Sequence, residues 1–308
     1  MTSHQRDHQL VLENVTKRYG DHCVVDDLTF TVEPGRITGF LGPNGSGKST
    51  TMKVLLDLAA ADDGTTAIGG CRYRDLPDPA GTVGVVLEPN AFHPGRSGRN
   101  HLRILAQATD QSLDRVDETL AVVGLDPRAA ARRVGTYSLG MKQRLSLAGA
   151  LLTDPSVLIL DEPANGLDPQ GIRELRDLLR SRAARGHTVL VSSHLLTEVE
   201  HLVDDVVVID QGRLVTTGTV ADLTRGSARV RTPDPARLAE FVSAAGAQVE
   251  TGGPDTLLVS GLGLDQIGDT ANAAGIALHE LSPHAGSLED VFFALTTPTT
   301  TPQEALAS

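Results

Sequence analysis

The stretch of sequence that decides the fold is Gly42-Pro43-Asn44-Gly45-Ser46-Gly47-Lys48-Ser49-Thr50. It matches the pattern GxxxxGK[ST] and stands between a short apolar run, residues 37–41, and a segment with helical spacing, residues 49–59. In that context the glycines let successive backbone N–H groups turn inward around phosphate oxygens, and the helix points its positive end at the same place. The flanking strand and helix favour a phosphate-binding loop over the alternative, a glycine-rich surface turn.

The side chains of this loop have predicted tasks. Lys48 is expected to neutralise the β and γ phosphates of a nucleotide, which makes it a binding and a catalytic candidate, and Ser49 is expected to hold Mg²⁺ through its hydroxyl. The cofactors that the motif implies are therefore ATP and Mg²⁺. The other candidate contacts to the nucleotide are Gly42, Pro43, Asn44, Gly45, Ser46, Gly47 and Thr50.

A pair of carboxylates follows a second buried strand. Residues 157–160 are fully apolar, and Asp161 and Glu162 come directly after them. Ligands collect at the carboxyl ends of the strands in doubly wound sheets, so the pair is expected beside the phosphate loop if the two strands are neighbours. Asp161 is predicted to reach Mg²⁺ through water, and Glu162 to polarise the water that attacks the γ-phosphate. The alternative is a strand end that simply enters solvent.

Strands alternate with helices up to about residue 220, which predicts an α/β fold with a largely parallel sheet. Ahead of the phosphate loop, apolar and polar residues alternate over residues 10–15 and 28–32 and predict two antiparallel strands. Asp168 followed by Pro169 predicts the start of a helix. The remaining predicted strands are residues 188–191 and a closing hairpin, residues 206–209 and 214–217, around Gly212.

The chain divides into a large and a small predicted domain. Residues 8–224 form the larger one, with a mostly helical part from about 89 to 150. Residues 225–296 form a small α+β accessory domain, whose order of strands and helices resembles a split βαβ arrangement. The Thr/Pro-rich tail, residues 297–308, is predicted to be disordered. The last predicted elements of the small domain are a strand over residues 277–281 and a helix over residues 287–295.

A sequence just before the acidic strand carries a family resemblance. Tyr137-Ser138-Leu139-Gly140-Met141-Lys142-Gln143-Arg144 resembles the signature sequence of ABC ATPases, whose usual form is Leu-Ser-Gly-Gly-Gln. Ser138 and Gly140 match that form, while Tyr137, Leu139 and Met141 depart from it. Ser138 and Gly140 also suit the cap of the helix that follows. Both readings hold together, because a helix N-terminus with a serine cap is an anion site as well.

Three further motifs resemble those of this family and occur along the chain in the same order. Asn165-Gly166-Leu167-Asp168 resembles its D-loop, and Asp168 is counted among the nucleotide-contacting candidates. His194 stands where the family carries its switch histidine, which implies a contact with the γ-phosphate; a satisfied strand-end histidine is the alternative. Tyr19 matches the aromatic residue that stacks on adenine, although it also suits a turn aromatic at a sheet edge. The resemblance implies the P-loop ABC ATPase core, a mixed sheet with helices and a helical signature subdomain.

One position departs from the wider superfamily. Many members have glutamine after a strand that begins with glycine, and this chain has Glu88 after Gly84. A carboxylate oxygen is a harder ligand than an amide oxygen, so Glu88 is predicted to bind Mg²⁺ or to orient water. The alternative is a plain surface carboxylate.

Composition excludes several classes of protein. The formal net charge of -12 and the pI near 5.2 count against a nucleic-acid partner and against binding to anionic lipid. Two cysteines, Cys23 and Cys71, are too few for a disulfide framework or a metal cluster and suit a reducing cytosol. The sequence contains no run of about 18 apolar residues, so no membrane span is predicted. The expected location is the cytoplasm, peripheral on the inner face of the membrane through a permease.

The resemblance also implies partners. No arginine finger is evident in the sequence, so a second copy is expected to complete each site with Ser138 and Gly140. A separate permease is expected to dock near residues 89–105. Residues 92–96, the form of the signature and residues 287–292 resemble export ATPases of the daunorubicin- and bacitracin-resistance type. The alternatives are an importer ATPase, a soluble ABC protein outside transport, and a P-loop kinase or GTPase.

Overall fold

The computed structural model describes residues 8–87, 92–194, 200–223 and 227–284. The chain divides into two compact units, Met1–Thr219 and Val220–Ser308, and this division falls a few residues before the predicted domain boundary. The helix predicted at residues 287–295 and the tail predicted at 297–308 lie outside the described residues. In chain order the strands of the first unit are β1 (Leu10–Tyr19), β2 (His22–Val32), β3 (Ile37–Leu41), β4 (Asp63–Ile68), β5 (Val83–Val86), β6 (Val157–Leu160), β7 (Thr188–Ser193), β8 (Asp205–Asp210) and β9 (Arg213–Thr219).

The first three-stranded sheet is antiparallel and has the order β2-β1-β4. Strands β1 and β2 both continue closer to the turn that joins them than the alternation of apolar and polar residues predicts. The register of their pairing shifts after Leu12 and again after Val15, and Asn14 lies at a φ of 52° within this irregularity. A bulge of this kind inserts an extra residue and breaks the alternation of inward and outward side chains. The sequence pattern therefore ends at residue 15, although the strand continues to Tyr19.

The second sheet has six strands in the order β5-β6-β7-β3-β8-β9. The first five are parallel, and β9 pairs with β8 in the antiparallel direction. Every residue of β3, β6 and β7 is buried, as expected for central strands covered on both faces. The predicted fold class, a mixed α/β sheet with helices, is confirmed.

Seven helices connect the strands of the first unit over its described residues. Four of them, all between Gly98 and Leu151, lie in the region that the sequence predicts to be mostly helical. Within the described ranges, no helix is both long and apolar enough to cross a lipid bilayer. The helices are α1 (Lys48–Leu55), α2 (Pro79–Thr82), α3 (Gly98–Ala108), α4 (Asp114–Val122), α5 (Pro127–Ala131), α6 (Leu139–Leu151) and α7 (Pro169–Ala184).

The second unit contains a four-stranded antiparallel sheet and its own hydrophobic cluster. Its elements are α8 (Val220–Leu223), β10 (Ser227–Arg231), α9 (Pro235–Ala244), β11 (Gln248–Gly253), β12 (Thr256–Ser260), α10 (Leu264–Ala273) and β13 (Glu280–His284). The sheet order is β11-β12-β10-β13, and with a helix after the first strand and another after the third this is a split βαβ arrangement.

The last described strand of this unit begins later than the sequence predicts. The prediction placed it at residues 277–281, and β13 spans Glu280–His284. Its register is fixed by β10, since Arg231 pairs with Glu280 and Ser227 with His284. The carbonyl of Ala277 instead accepts a hydrogen bond from the Thr232 hydroxyl at 2.8 Å. The His279 N–H still donates to the Arg231 carbonyl at 2.7 Å, but the strand itself begins at Glu280, so residues 277–279 are the connection that leads into it.

Phe40 joins the two sheets of the first unit. It lies on β3, it is fully buried, and its ring centroid is 5.2 Å from that of Phe30 on β2. Both rings belong to one hydrophobic cluster that also contains residues of α1, such as Met52. The position of α1 therefore depends on this contact between the sheets.

We expect Phe40→Ala to destabilise the first unit by about 3–5 kcal/mol, because it removes a large buried side chain and leaves a cavity. Leu58→Ala is the matched control, since Leu58 is 65% exposed and its loss should change stability by less than about 0.5 kcal/mol. Denaturant unfolding of both variants measures the difference. Equal stability of the two variants would contradict the central role of Phe40.

Candidate functional site

Three adjacent strands place the predicted site residues at one edge of the six-stranded sheet. Strand β3 lies beside β7, with Leu41 paired to Ser193, and β7 lies beside β6, with Val191 paired to Leu160. Because the three strands are parallel, the segments that follow them leave the sheet side by side. These segments are the phosphate loop after β3, the carboxylate pair after β6 and His194 after β7.

The phosphate loop folds around the side chain of Lys48. The Lys48 Nζ donates to the carbonyls of Gly42 at 2.7 Å and Pro43 at 3.1 Å. Lys48 is also the first residue of α1, and the residue before it, Gly47, has a φ of 104° that L side chains rarely adopt. Burial lowers the pKa of the Lys48 ammonium, and the charges of Glu162 and Asp161 oppose that shift. The two carboxylates thus help to keep a buried cation charged.

Asp161 is held by two hydroxyl groups. The Ser49 Oγ donates to Asp161 Oδ2 at 2.5 Å, and the Ser192 Oγ donates to Asp161 Oδ1. Ser192 also accepts a hydrogen bond from the backbone N–H of Glu162 at 2.9 Å, so one serine fixes both carboxylate residues. Hydroxyl and carboxylate oxygens are ligands that Mg²⁺ prefers, and the donor set of Ser49 and Asp161 therefore fits the predicted metal.

Glu162 and His194 form a second pair at this edge. The Nδ1 of His194 lies 2.8 Å from Glu162 Oε1. An ionised carboxylate can only accept, so the ring nitrogen is the donor. Glu162 has a φ of 49°, in the left-handed region where non-glycine residues are uncommon. Its backbone turns there from β6 into the following loop, where the N–H of Asn165 donates to the Glu162 carbonyl at 3.2 Å.

One pocket contains most of the predicted phosphate-site residues. Its volume is about 210 Å³. Among its described lining residues Lys48 is the one cation, and Asp161 and Glu162 are the carboxylates. Val24 on β2 also lines it, a residue that the sequence analysis did not select. The remaining lining residues are Asn44, Gly45, Gly47, Ser49 and Thr50.

The other predicted site residues lie away from this pocket's lining. Tyr19 is 51% exposed at the end of β1, with the Lys17 ammonium 5.2 Å from its ring centroid. Gly42, Pro43 and Ser46 belong to the loop backbone without lining the pocket. Glu88 lies outside the described residues, so its predicted role stays a prediction.

Ser138 and Gly140 lie at the start of α6. The exposed Ser138 is its N-cap and accepts a hydrogen bond from the Met141 N–H at 3.2 Å. A Cβ at Gly140 would lie 2.7 Å from the Gly166 carbonyl, and one at Gly166 would lie 2.5 Å from Cγ of Leu139. The signature segment and the D-loop of the same chain are therefore packed against each other.

Asp168 ends the D-loop and starts α7. Its carboxylate accepts a hydrogen bond from the Gly171 N–H at 2.8 Å, which is the N-cap that the sequence predicts. Pro169 occupies the first helical position, where the missing N–H is not needed. This contact gives Asp168 a structural role in the chain, and its predicted contact with nucleotide stays a prediction.

Ser192 is the functional residue that the sequence analysis missed. It is fully buried on β7, two residues before His194, and its hydroxyl joins Asp161 to the Glu162 backbone. The sequence did contain a signal for this role, because two serines, residues 192 and 193, end an apolar strand. A buried hydroxyl group needs a hydrogen-bond partner, which indicates a polar neighbour at that position.

Two family models match the chain. One, described as ABC transporter, matches residues 25–165. The other, described as a domain of unknown function (DUF8746), matches residues 226–289. The first match contains the phosphate loop, the signature segment and the carboxylate pair, and the second lies in the second unit.

Several curated proteins are similar to the chain. An uncharacterized ABC transporter ATP-binding protein, YhcH of Bacillus subtilis (strain 168), is 42% identical over 216 residues, which are 69% of this chain and 70% of the relative. The bacitracin transport ATP-binding protein BcrA of Enterococcus faecalis is 41% identical over 214 residues, covering 68% and 69%. The Nod factor export ATP-binding protein I of Burkholderia orbicola (strain AU 1054) is 38% identical over 296 residues, covering 92% and 95%.

Solved structures are similar as well. The ATP binding subunit of an ABC transporter matches with a TM-score of 0.64 and 30% identity, over 70% of this chain and 92% of that chain. A dimeric ATP-binding cassette in a post-hydrolysis state, bound to ADP and Pi, matches with a TM-score of 0.63 and 22% identity, over 68% and 98%. At the latter identity the likeness concerns the fold alone.

We expect Glu162→Gln to lower the rate constant of ATP hydrolysis by at least about 100-fold, because an amide cannot accept the proton of the attacking water. ATP affinity should stay within a factor of about two, since the amide is nearly isosteric and Lys48 keeps its place. Single-turnover hydrolysis and isothermal titration measure the two quantities. Lys48→Ala is the contrasting variant and should lose affinity; near-normal hydrolysis by Glu162→Gln would remove Glu162 as the base.

Proposed function

The chain belongs to the ABC transporter family as an ATP-binding subunit that hydrolyses ATP, and on that premise we propose that it powers export through a separate membrane permease. The cargo class is a drug, antibiotic or lipid-like compound. One relative supports this direction by its name, in Nod factor export, and another is named for bacitracin transport. An importer is the second candidate, and a solute-binding protein encoded beside the permease would favour it.

The phosphate pocket supports a working unit of two copies. Lys48 is the one cation among its described lining residues, whereas the exposed Ser138, at the N-terminus of α6, does not line it. A helix N-terminus with a serine cap offers backbone N–H groups to an anion. In a head-to-tail pair, Ser138 and Gly140 of one copy would face the γ-phosphate held by the other copy's Lys48. This incomplete pocket is the observation that carries the proposal of a homodimer.

Glu162 and His194 supply the chemistry in this proposal. Glu162 accepts the proton of the water that attacks the γ-phosphate. His194 orients the Glu162 carboxylate through Nδ1 and presents Nε2 to the γ-phosphate. Tyr19 provides an exposed ring on which the adenine can stack.

The Ser49 and Asp161 oxygens are proposed to hold Mg²⁺ beside the phosphates, and Glu88 is proposed as a further oxygen ligand. The ion, when bound, neutralises phosphate charge. Ser192 prepares the site for it, because its hydrogen bond fixes one oxygen of Asp161 while the other faces Ser49. The position of the metal therefore depends on β7 as well as on the phosphate loop.

A groove in the first unit is proposed as the dock of the permease. It has a volume of about 350 Å³, and its walls are the edge strand β5 and helices α3 and α6. Phe92 and His101 form an edge-to-face contact at its rim, with ring centroids 4.9 Å apart. Burial lowers the pKa of His101, so the groove is neutral there at physiological pH. The occupant proposed for this groove is a short apolar helix on the cytoplasmic side of a permease, with the chain bound through it to the inner membrane face.

Mixed dimers test the shared site. A dimer with one Ser138→Arg copy should hydrolyse ATP slowly at the Lys48 pocket of the unaltered copy, because that pocket loses its donors from across the interface. Tagging the two copies differently and adding Lys48→Ala to one or the other shows which pocket is affected. Slow hydrolysis confined to the altered copy's own pocket would contradict the head-to-tail geometry.

The groove is tested by capture of the membrane protein encoded beside this chain. Leu105→Arg should abolish its co-purification with the ATPase, because the charge would enter an apolar wall. Ile104→Arg is the matched control, since Ile104 is the neighbouring residue on α3 and is 41% exposed. Co-purification that is equal for both variants would exclude the groove as the dock.

A further inference from the structure

The turn between β8 and β9 touches the phosphate loop although it is more than 160 residues away in sequence. The N–H of Gly212 donates to the Ser46 carbonyl at 3.0 Å, and the Gly212 carbonyl accepts from the Asp26 N–H at 2.9 Å. Ser46 lies in the phosphate loop, and Asp26 lies on β2 two residues after Val24. One glycine thus bonds by its backbone to the two segments that flank the phosphate pocket.

The packing around this glycine leaves no room for a side chain. Gly212 is buried, and a Cβ there would lie 2.5 Å from the Val24 carbonyl. A Cβ at Gly47, in the phosphate loop, would lie 2.6 Å from the same carbonyl. The Val24 carbonyl is therefore enclosed between two glycines, one from the loop and one from the turn. Val24 itself lines the pocket.

We propose that the β8–β9 turn, residues 211–213, positions the phosphate loop for nucleotide binding, with Gly212 as the positioning residue. The inference rests on the proposed role of the phosphate loop and adds a residue that touches neither nucleotide nor the reacting atoms. The turn holds the Ser46 carbonyl, and with it the peptide groups that precede Gly47 and Lys48. It fixes the loop against β2 before nucleotide arrives, which lowers the ordering cost of binding.

The turn also makes a weaker contact through a side chain. A variant of that side chain distinguishes its contribution to positioning from that of the Gly212 backbone. The Arg213 side chain forms an ion pair with Asp26, with Nη2 2.6 Å from Oδ2, but it is 74% exposed. Exposed ion pairs contribute little. The backbone contacts of Gly212 should therefore account for most of the positioning, and Arg213→Ala should change ATP affinity by less than a factor of about two.

The test compares glycine variants by isothermal titration with ATP. Gly212→Ala should weaken affinity about tenfold, because the Cβ displaces the Val24 carbonyl and the bond to Ser46. The single-turnover rate constant at saturating ATP should stay within a factor of about two, since the turn does not contact Glu162 or His194. Gly186→Ala is the matched control: its φ is +87°, close to the +81° of Gly212, and a Cβ there meets nothing within 4 Å.

Two outcomes would overturn the proposal. Unchanged ATP affinity in Gly212→Ala is one, and an equal loss in Gly186→Ala is the other, because it would assign the effect to backbone strain. Gly212→Asn separates strain from contact further, since asparagine tolerates positive φ but still carries a Cβ; it should bind as weakly as Gly212→Ala. The titration is read on this chain alone, so failure of the proposed export function would leave its result unchanged.

Hydrogen exchange on the unaltered protein keeps the proposal testable if the glycine variants do not fold. ATP should slow exchange of the Gly212 amide, because a bound nucleotide stabilises the loop that accepts its hydrogen bond. The Gly186 amide, which bonds to the Ala183 carbonyl, should not respond. Equal exchange of the Gly212 amide with and without ATP would overturn the proposal.

Discussion

The parallel pairing of β3, β7 and β6 is the constraint on which the rest of the site depends. These strands are buried along their whole length, so their register is fixed by the core and cannot slip without exposing apolar side chains. Their order in the sheet differs from their order in the chain. Segments far apart in sequence therefore meet at one sheet edge, which brings a lysine, two carboxylates and a histidine close together.

Local and long-range features of the chain differ in how far the sequence reveals them. The phosphate loop could be predicted because its function depends on a few consecutive residues. Strand β4 was missed because its inward positions are Gly64, Thr66 and Ile68, so the burial alternates along the strand but the apolar content of the sequence does not. Ser192 and Gly212 could not be assigned because their partners, Asp161 and Ser46, lie far away in the chain. What the sequence omits is the set of contacts that only the assembled sheet creates.

The second unit differs from the first in how closely its elements follow the hydrophobic periodicity of the sequence. Its strands and helices follow the predicted split βαβ order, since short amphipathic elements around one small cluster give clear periodicities. The error at β13 arose where the partner strand, and not the apolar content of the segment, sets the register. The family model described as ABC transporter matches the first unit, and the one described as a domain of unknown function matches the second.

The contact between Leu139 and Gly166 couples two positions in evolution. The signature motif of the family has glycine where this chain has leucine, and the leucine side chain fills the space in which a side chain at residue 166 would stand. Among relatives that keep this geometry, a large residue at the first position requires glycine at the second. Gly166 also has a φ of 78°, so a side chain at residue 166 is tolerated only in a background where residue 139 is small and the backbone there has changed as well.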